Sequence, residues 1–127
     1  MKARESALRL GRFEADEKAR KVADLEHMIR EFDNMLVALD RQISAEEDRT
    51  GIKDPAHFAY STFAKSASLR RDNVRISADG LKAKLEPAQR ERDESMERVS
   101  RAEISETRVE LRSRRPYYWG LALRQRT

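Results

Sequence analysis

The feature that most constrains this chain is a run of apolar side chains, Val22, Leu25, Ile29, Phe32, Leu36, Leu39 and Ile43, spaced alternately three and four residues apart. That spacing draws them into one narrow line along an α-helix, with Val22, Ile29, Leu36 and Ile43 at a positions and Leu25, Phe32 and Leu39 at d positions of a heptad. Followed toward the N-terminus, the same phase meets Lys18, Ala15, Gly11 and Leu8, so the line weakens without shifting. The pattern predicts one helix from about residue 4 to about residue 49, roughly 70 Å long at the α-helical rise. A helix with so narrow an apolar face is not stable alone and needs a partner.

A second, poorer line follows: Ala67, Val74, Ala78, Leu81, Leu85, Ala88, Val99, Ala102 and Val109, with Arg71, Arg92, Ser95 and Glu106 at the intervening positions. Between the two lines stands TGIKDPAHFAYSTF, Thr50 to Phe63. Gly51 suits the left-handed residue of a helix C-cap, Asp54 an N-cap, and Pro55 a first helical position where a missing backbone donor costs nothing. A stop, a loop of about five residues and a start make the two helices antiparallel neighbours. The expectation is an all-α fold, a long antiparallel two-helix coiled-coil hairpin over residues 1–115 with its tip near residues 50–54. Pro87 predicts a kink in the second helix, unless residues 81–87 end one helix and residue 88 begins another. Pro116 predicts the helix end, leaving residues 116–127, PYYWGLALRQRT, as an irregular and flexible tail rich in aromatic residues and arginine.

Composition agrees with helices that bury a seam and leave the rest in water: 39% of residues are charged, 6% are aromatic, and the mean hydropathy is -0.87. Absence of cysteine excludes disulfides and thiol chemistry. No apolar run approaches the roughly 18 residues of a membrane span, and the opening MKARESALRLGRF lacks the apolar stretch of a secretory signal. A cytoplasmic protein with no direct membrane insertion is expected. The net charge of +4 is unevenly spread, because residues 98–127 carry eight arginines against three glutamates.

No catalytic, cofactor or metal site is expected. The chain has no glycine-rich phosphate loop, no pair of metal ligands at helical spacing, and no serine or cysteine nucleophile with a base in evident reach. His27, beside Glu26 and Glu31, reads as a solvated or ion-paired surface histidine. His57, just after Asp54, reads as a capping or tip-packing residue. The rings of Phe58, Tyr60 and Phe63 find little core at a hairpin tip. They either pack over the end of the first helix near Ile43 and Ile52, the reading favoured for Phe58, or form a docking patch. Tyr117, Tyr118 and Trp119 read as a frayed terminus or as an aromatic anchor.

The run KARESALRLGRFEADEKARKVADLEHMI, with the later DPAHFAYSTFAKSASLRRDN, resembles the alphaproteobacterial type of the flagellar export protein FliJ family, over roughly residues 1–90. The short run DPAHFAY is its most specific element. The resemblance implies a soluble, stalk-like coiled-coil hairpin whose end bearing both termini enters the ring of the flagellar export ATPase. It also implies that a face near the tip meets the cytoplasmic region of the export-gate membrane protein, and that export chaperones are further partners. Carried over by position, the gate-binding face falls on Tyr60 and Phe63 and onward on Ala67, Arg70 and Val74, with Phe58 beside it at the tip. The ATPase end falls on Arg4, Arg9, Arg12, Arg101, Arg108 and Arg112. After about residue 97 the arginine-rich stretch and PYYWGLALRQRT depart from the family's pattern.

Two other readings compete. One is a basic coiled-coil protein that binds nucleic acid through Arg98, Arg101, Arg108, Arg112, Arg114 and Arg115, with Tyr117 and Trp119 stacking on bases. The interleaved Glu103, Glu106 and Glu110 speak against it. The other is a purely structural coiled coil that self-associates through its weak second seam.

Overall fold

The structure, a computed structural model, describes the helical backbone from Lys2 to Arg126 and the side chains of residues 2–114. Two helices, α1 (Lys2–Thr50) and α2 (Thr62–Arg126), are joined by the loop of residues 51–61 and pack against each other as an all-α hairpin. Stretches of both helices make up each of two compact units, one of Met1–Arg20 with Gln89–Thr127, the other Lys21–Ala88.

In the unit Lys21–Ala88 the seam is made of large residues on α1 set against small ones on α2. Val22 and Leu25 pack on Ala88 with Leu81 and Leu85 beside them, and Leu39 and Ile43 pack on Ala67 with Val74 beside them. Ala64 and Ala78 are also buried. Four alanines along one face let the α2 backbone come close while the α1 side chains fill the gap, so the poor hydropathy of the second line is no defect. One of the two seam arginines is paired across the helices: Arg71 Nη1 lies 3.4 Å from Asp40 Oδ1 on α1. Farther along, Lys82 Nζ stands 3.3 Å from Asp33 Oδ1.

In the other unit the seam turns small and polar. Ala15 is buried, a Cβ on Gly11 would come 3.5 Å from Val99 Cγ2, and the buried Ser95 hydroxyl accepts from Lys18 Nζ at 2.9 Å and from Arg98 Nη2 at 3.3 Å. Ala102 and Val109, expected in the seam, are exposed. Arg12 meets Glu103 at 3.1 Å, an ion pair of exposed side chains, so at this level of the unit the helices meet through charged groups and not through apolar ones.

Of three points about helix boundaries, the first offered two alternatives, of which the structure excludes one, and the other two are corrected. Pro87 does not divide the second helix, since α2 runs through it. One lost backbone hydrogen bond is offset there by Leu85 and Ala88, which hold the helix to Val22 and Leu25. Pro116 does not end α2 either, because the helix continues to Arg126. The flanking Arg, Glu and Leu residues favour helix, and a proline bends such a stretch more readily than it stops it. The side chains of Arg115, Tyr117, Tyr118 and Trp119, and with them the expected anchor, lie outside the described residues.

The third point concerns the loop, which is longer than five residues because Asp54 and Pro55 open a turn and not a helix. Asp54 Oδ1 accepts from Ala56 N at 2.9 Å and its carbonyl from His57 N at 3.0 Å; the His57 carbonyl then accepts from Tyr60 N at 3.0 Å. Asp side chains offer the backbone this local alternative to a helix start. The N-cap of α2 is Ser61, whose Oγ accepts from Ala64 N at 3.2 Å.

Gly51 caps α1 as expected, with φ of 77° and its N–H donating to the Glu47 carbonyl at 2.8 Å. A Cβ there would meet nothing within 4 Å, so the cost of adding one is conformational only. Gly51→Ala is expected to destabilise the hairpin by about 1 kcal/mol in denaturant unfolding, and Gly51→Asn by less. Equal stability of the alanine variant would refute the left-handed cap.

Candidate partner-docking surfaces

The tip loop is held by hydrogen bonds that leave one ring outside. Phe58 is 96% exposed and its contact is with the neighbouring His57, the two rings stacked at 4.7 Å and 22°. His57 in turn accepts the Ala59 N–H on Nδ1 at 3.0 Å, which fixes its ring inside the loop; it caps no helix, because α2 begins only at Thr62, and its ring packs on Phe58 at the tip. The expectation that Phe58 packs near Ile43 and Ile52 is therefore overturned. The two successive turns after Asp54 carry the chain away from the end of α1 before it returns at Ser61. Tyr60 is half-buried, and Phe63, in the first turn of α2, is 56% exposed.

Beneath the loop, the two helix ends are tied by one carboxylate. Glu46 accepts from Arg49 Nη2 at 2.5 Å and from Arg49 Nε at 3.0 Å, one helical turn apart, and also from Ser61 Oγ–H at 2.8 Å. Ser61 thus caps α2 with its oxygen while its proton binds α1. The Arg49 hydrogen bonds, then that of Ser61, hold the Glu46 carboxyl down to about 2 from an ordinary 4.5, while its pairing raises Arg49. A depressed folded-state pKa stabilises above the unfolded value, and the gain fades as pH falls from about 4.5 toward 2. The melting-temperature advantage of the parent chain over Glu46→Gln is therefore expected to be full at neutral pH and to vanish near pH 2. An advantage that persisted unchanged down to pH 2 would rule out this linkage.

The residues carried over for the gate-binding face separate into two sets. Ala67 is buried and Val74 half-buried in the contact with α1, so Ala67 cannot reach a partner. Residues 67 and 74 fall on the heptad line that binds α1, whereas Phe63 and Arg70 stand at its edge. Arg70 and Val74 line a notch of 150 Å³ with Met35, Ala38, Leu39 and Gln42. Met35, also half out of the chain, was not singled out from the sequence, although its spacing from Met28 by one heptad places both on the rim of the seam.

The arginines carried over for the ATPase end all fall in the unit Met1–Arg20 with Gln89–Thr127, all exposed. Arg12 is paired with Glu103, and Arg101 with Glu97 at 3.2 Å. Arg101, Arg108 and Arg112 share one face of α2 by their spacing, while Arg4 borders a groove between the helices. This groove, of 410 Å³, is formed where Ala7, Leu8 and Gly11 of α1 face Val99, Ala102 and Ser105 of α2, with Glu14, Arg98 and Glu106 at its rim. Sequence reading missed it, although the small residues at Ala7, Gly11 and Ala102 are its signal. His27 is exposed, as expected of a surface histidine, with Nε2 3.1 Å from Glu31 Oε1 one helical turn on. Among the described residues no group of His, Asp or Glu side chains is placed to hold a metal ion, and no helix is long and apolar enough to cross a membrane.

Comparison with known proteins finds no matching family model, no matching curated protein and no matching solved structure.

Proposed function

We propose that the chain is a non-enzymatic, cytoplasmic adaptor of the flagellar type III protein export apparatus, a stalk-like partner and regulator of the export ATPase that also contacts the export gate. The observation that carries this reading is a hairpin whose hydrogen-bonded tip presents Phe58 to solvent, with Phe63 and the Met35–Arg70–Val74 notch beyond it. An exposed aromatic ring on an ordered loop loses little entropy when it enters a pocket, which is the property of a docking anchor. The sequence resemblance supplies the identity of the partners. The arginines of the other unit support the ATPase contact, since a basic surface steers a helical element toward an acidic socket.

In this reading the chain binds and biases, and transforms nothing itself. The tip contacts the cytoplasmic region of the export-gate membrane protein, the arginine-bearing unit engages the ATPase ring, and export chaperones are further partners. The test is the ATP hydrolysis rate of the flagellar export ATPase from the same organism, with and without the chain, at low and moderate salt. A rise that saturates with added chain and weakens with salt is expected. An unchanged rate, with the chain helical and the ATPase competent, would exclude direct activation.

A further inference from the structure

Arg98, Arg101, Ser105, Arg108 and Arg112 follow one another along α2 at alternating steps of three and four residues. That spacing sets them on one side of the helix, over about 21 Å, in a row without a carboxylate. The glutamates that separate the arginines in sequence stand elsewhere on α2. Glu103 meets Arg12 of α1 at 3.1 Å, Glu110 follows it one heptad on, and Glu106 is half-buried between the helices. All four arginines are exposed. Among the described residues Arg108 and Arg112 form no ion pair, Arg98 directs a donor to the Ser95 hydroxyl, and Arg101 holds Glu97 in a solvent-screened pair.

The groove of 410 Å³ opens toward this row. Ala7 and Glu14 of α1 line it together with Arg98 and Ser105 of α2. By their spacing these four flank the seam on one edge, whereas Arg12 and Glu103 close the other. Leu8, Gly11 and Val99 lie at the seam between them, so the floor is apolar and the α2 wall is the arginine row, while the α1 wall bears no cation. Floor and wall together select the occupant. Phosphates of a nucleic acid would use the arginines and leave the floor without a counterpart. A helix with an apolar line and Asp or Glu along one edge uses both, and the groove spans about 15 Å from Arg4 to Glu14, about three helical turns.

We propose that this groove seats a helix of a partner protein, its apolar face on Leu8 and Val99 and its acidic edge along Arg98, Arg101, Arg108 and Arg112. Ala15 is the one buried apolar residue of this unit among the described residues, so its own seam leaves apolar surface for a third helix to cover. The inference rests on the geometry of this unit and holds for any partner helix of that chemistry, whether or not the partner is the export ATPase.

Fluorescence anisotropy with the full chain tests it, the probe being a labelled peptide of about 20 residues with leucines at heptad spacing and glutamates along one edge. Micromolar binding is expected, at least about tenfold tighter than that of counterparts with lysine for glutamate or alanine for leucine. Arg108→Glu and Arg112→Glu, at exposed positions, are each expected to weaken binding about tenfold. Arg9→Glu makes the same change in net charge on the Arg12 side of α1 and is expected to leave the affinity within about twofold. Ala102→Trp, which fills the groove from an exposed position, is expected to abolish binding with the circular dichroism unchanged. The proposal is overturned by no binding of the acidic peptide to the helical chain, by equal binding of either counterpart, or by equal losses from Arg9→Glu and Arg108→Glu. Binding unaffected by Ala102→Trp, or tighter binding of a random DNA duplex of about 20 base pairs, overturns it too. The ATPase plays no part in this experiment, so either reading can fail alone.

Discussion

Val22→Asp is expected to abolish the cooperative thermal transition of this chain and much of its helicity. Val22 is 1% exposed and sits in the cluster with Leu25 and Ala88, flanked by Leu81 and Leu85. An unpaired charge at such a site costs about 4 kcal/mol or more. Domain stabilities lie at about 5–15 kcal/mol, and a chain with a single seam stands toward the lower end. The control is another valine of the same helix. Val37 is 49% exposed, and Val37→Asp is expected to shift stability by no more than about 0.5 kcal/mol. Circular dichroism melts of the two variants decide the matter: similar losses from both would mean that the seam is not what holds the helices together.

If the chain is the export adaptor proposed above, Phe58→Ala is expected to weaken its binding to the export gate's cytoplasmic region by about 30-fold, with Phe63→Ala following in the same direction. The melting temperature is expected to stay where it is, because the Phe58 ring stacks on His57 and buries almost nothing. That combination separates a docking anchor from a packing residue. In the same proposal, stimulation of the ATPase belongs to the other unit and is expected to survive the change. Isothermal titration with the purified gate region reads the effect directly. An affinity unchanged by both substitutions would remove the tip from the binding surface, whereas a fall in melting temperature would reinstate local packing.

Much of the hairpin was legible because its information is local and periodic. The α1 line from Val22 to Ile43 and the Gly51 cap each follow from side-chain spacing or from the one backbone conformation that glycine tolerates. The start of α2 was not legible in the same way. Asp54-Pro55 is a valid helix opening and an equally valid turn, and the choice depends on Ser61 finding Glu46 across the loop, a contact between residues distant in sequence. The candidate site shows the same division. Exposure of Phe63 and Arg70 and burial of Ala67 depend on which edge of α2 meets α1, and the heptad alone carries that information only once the facing helix is in place.

What the amino-acid order determined by itself is the class of fold: two amphipathic helices, a break at Gly51, and no apolar mass for anything more compact. Hydrophobic periodicity and capping chemistry act within a few residues, so they survive without a tertiary context. What only the tertiary structure decided is the fate of individual side chains. It made alanines into the floor of the seam, gave Arg71 to Asp40 and Lys18 to Ser95, turned Phe58 outward, and left Leu69 and Ile76 uncovered. Each of those outcomes is fixed by what stands opposite, and the identity of that neighbour is set by the register of one helix against the other.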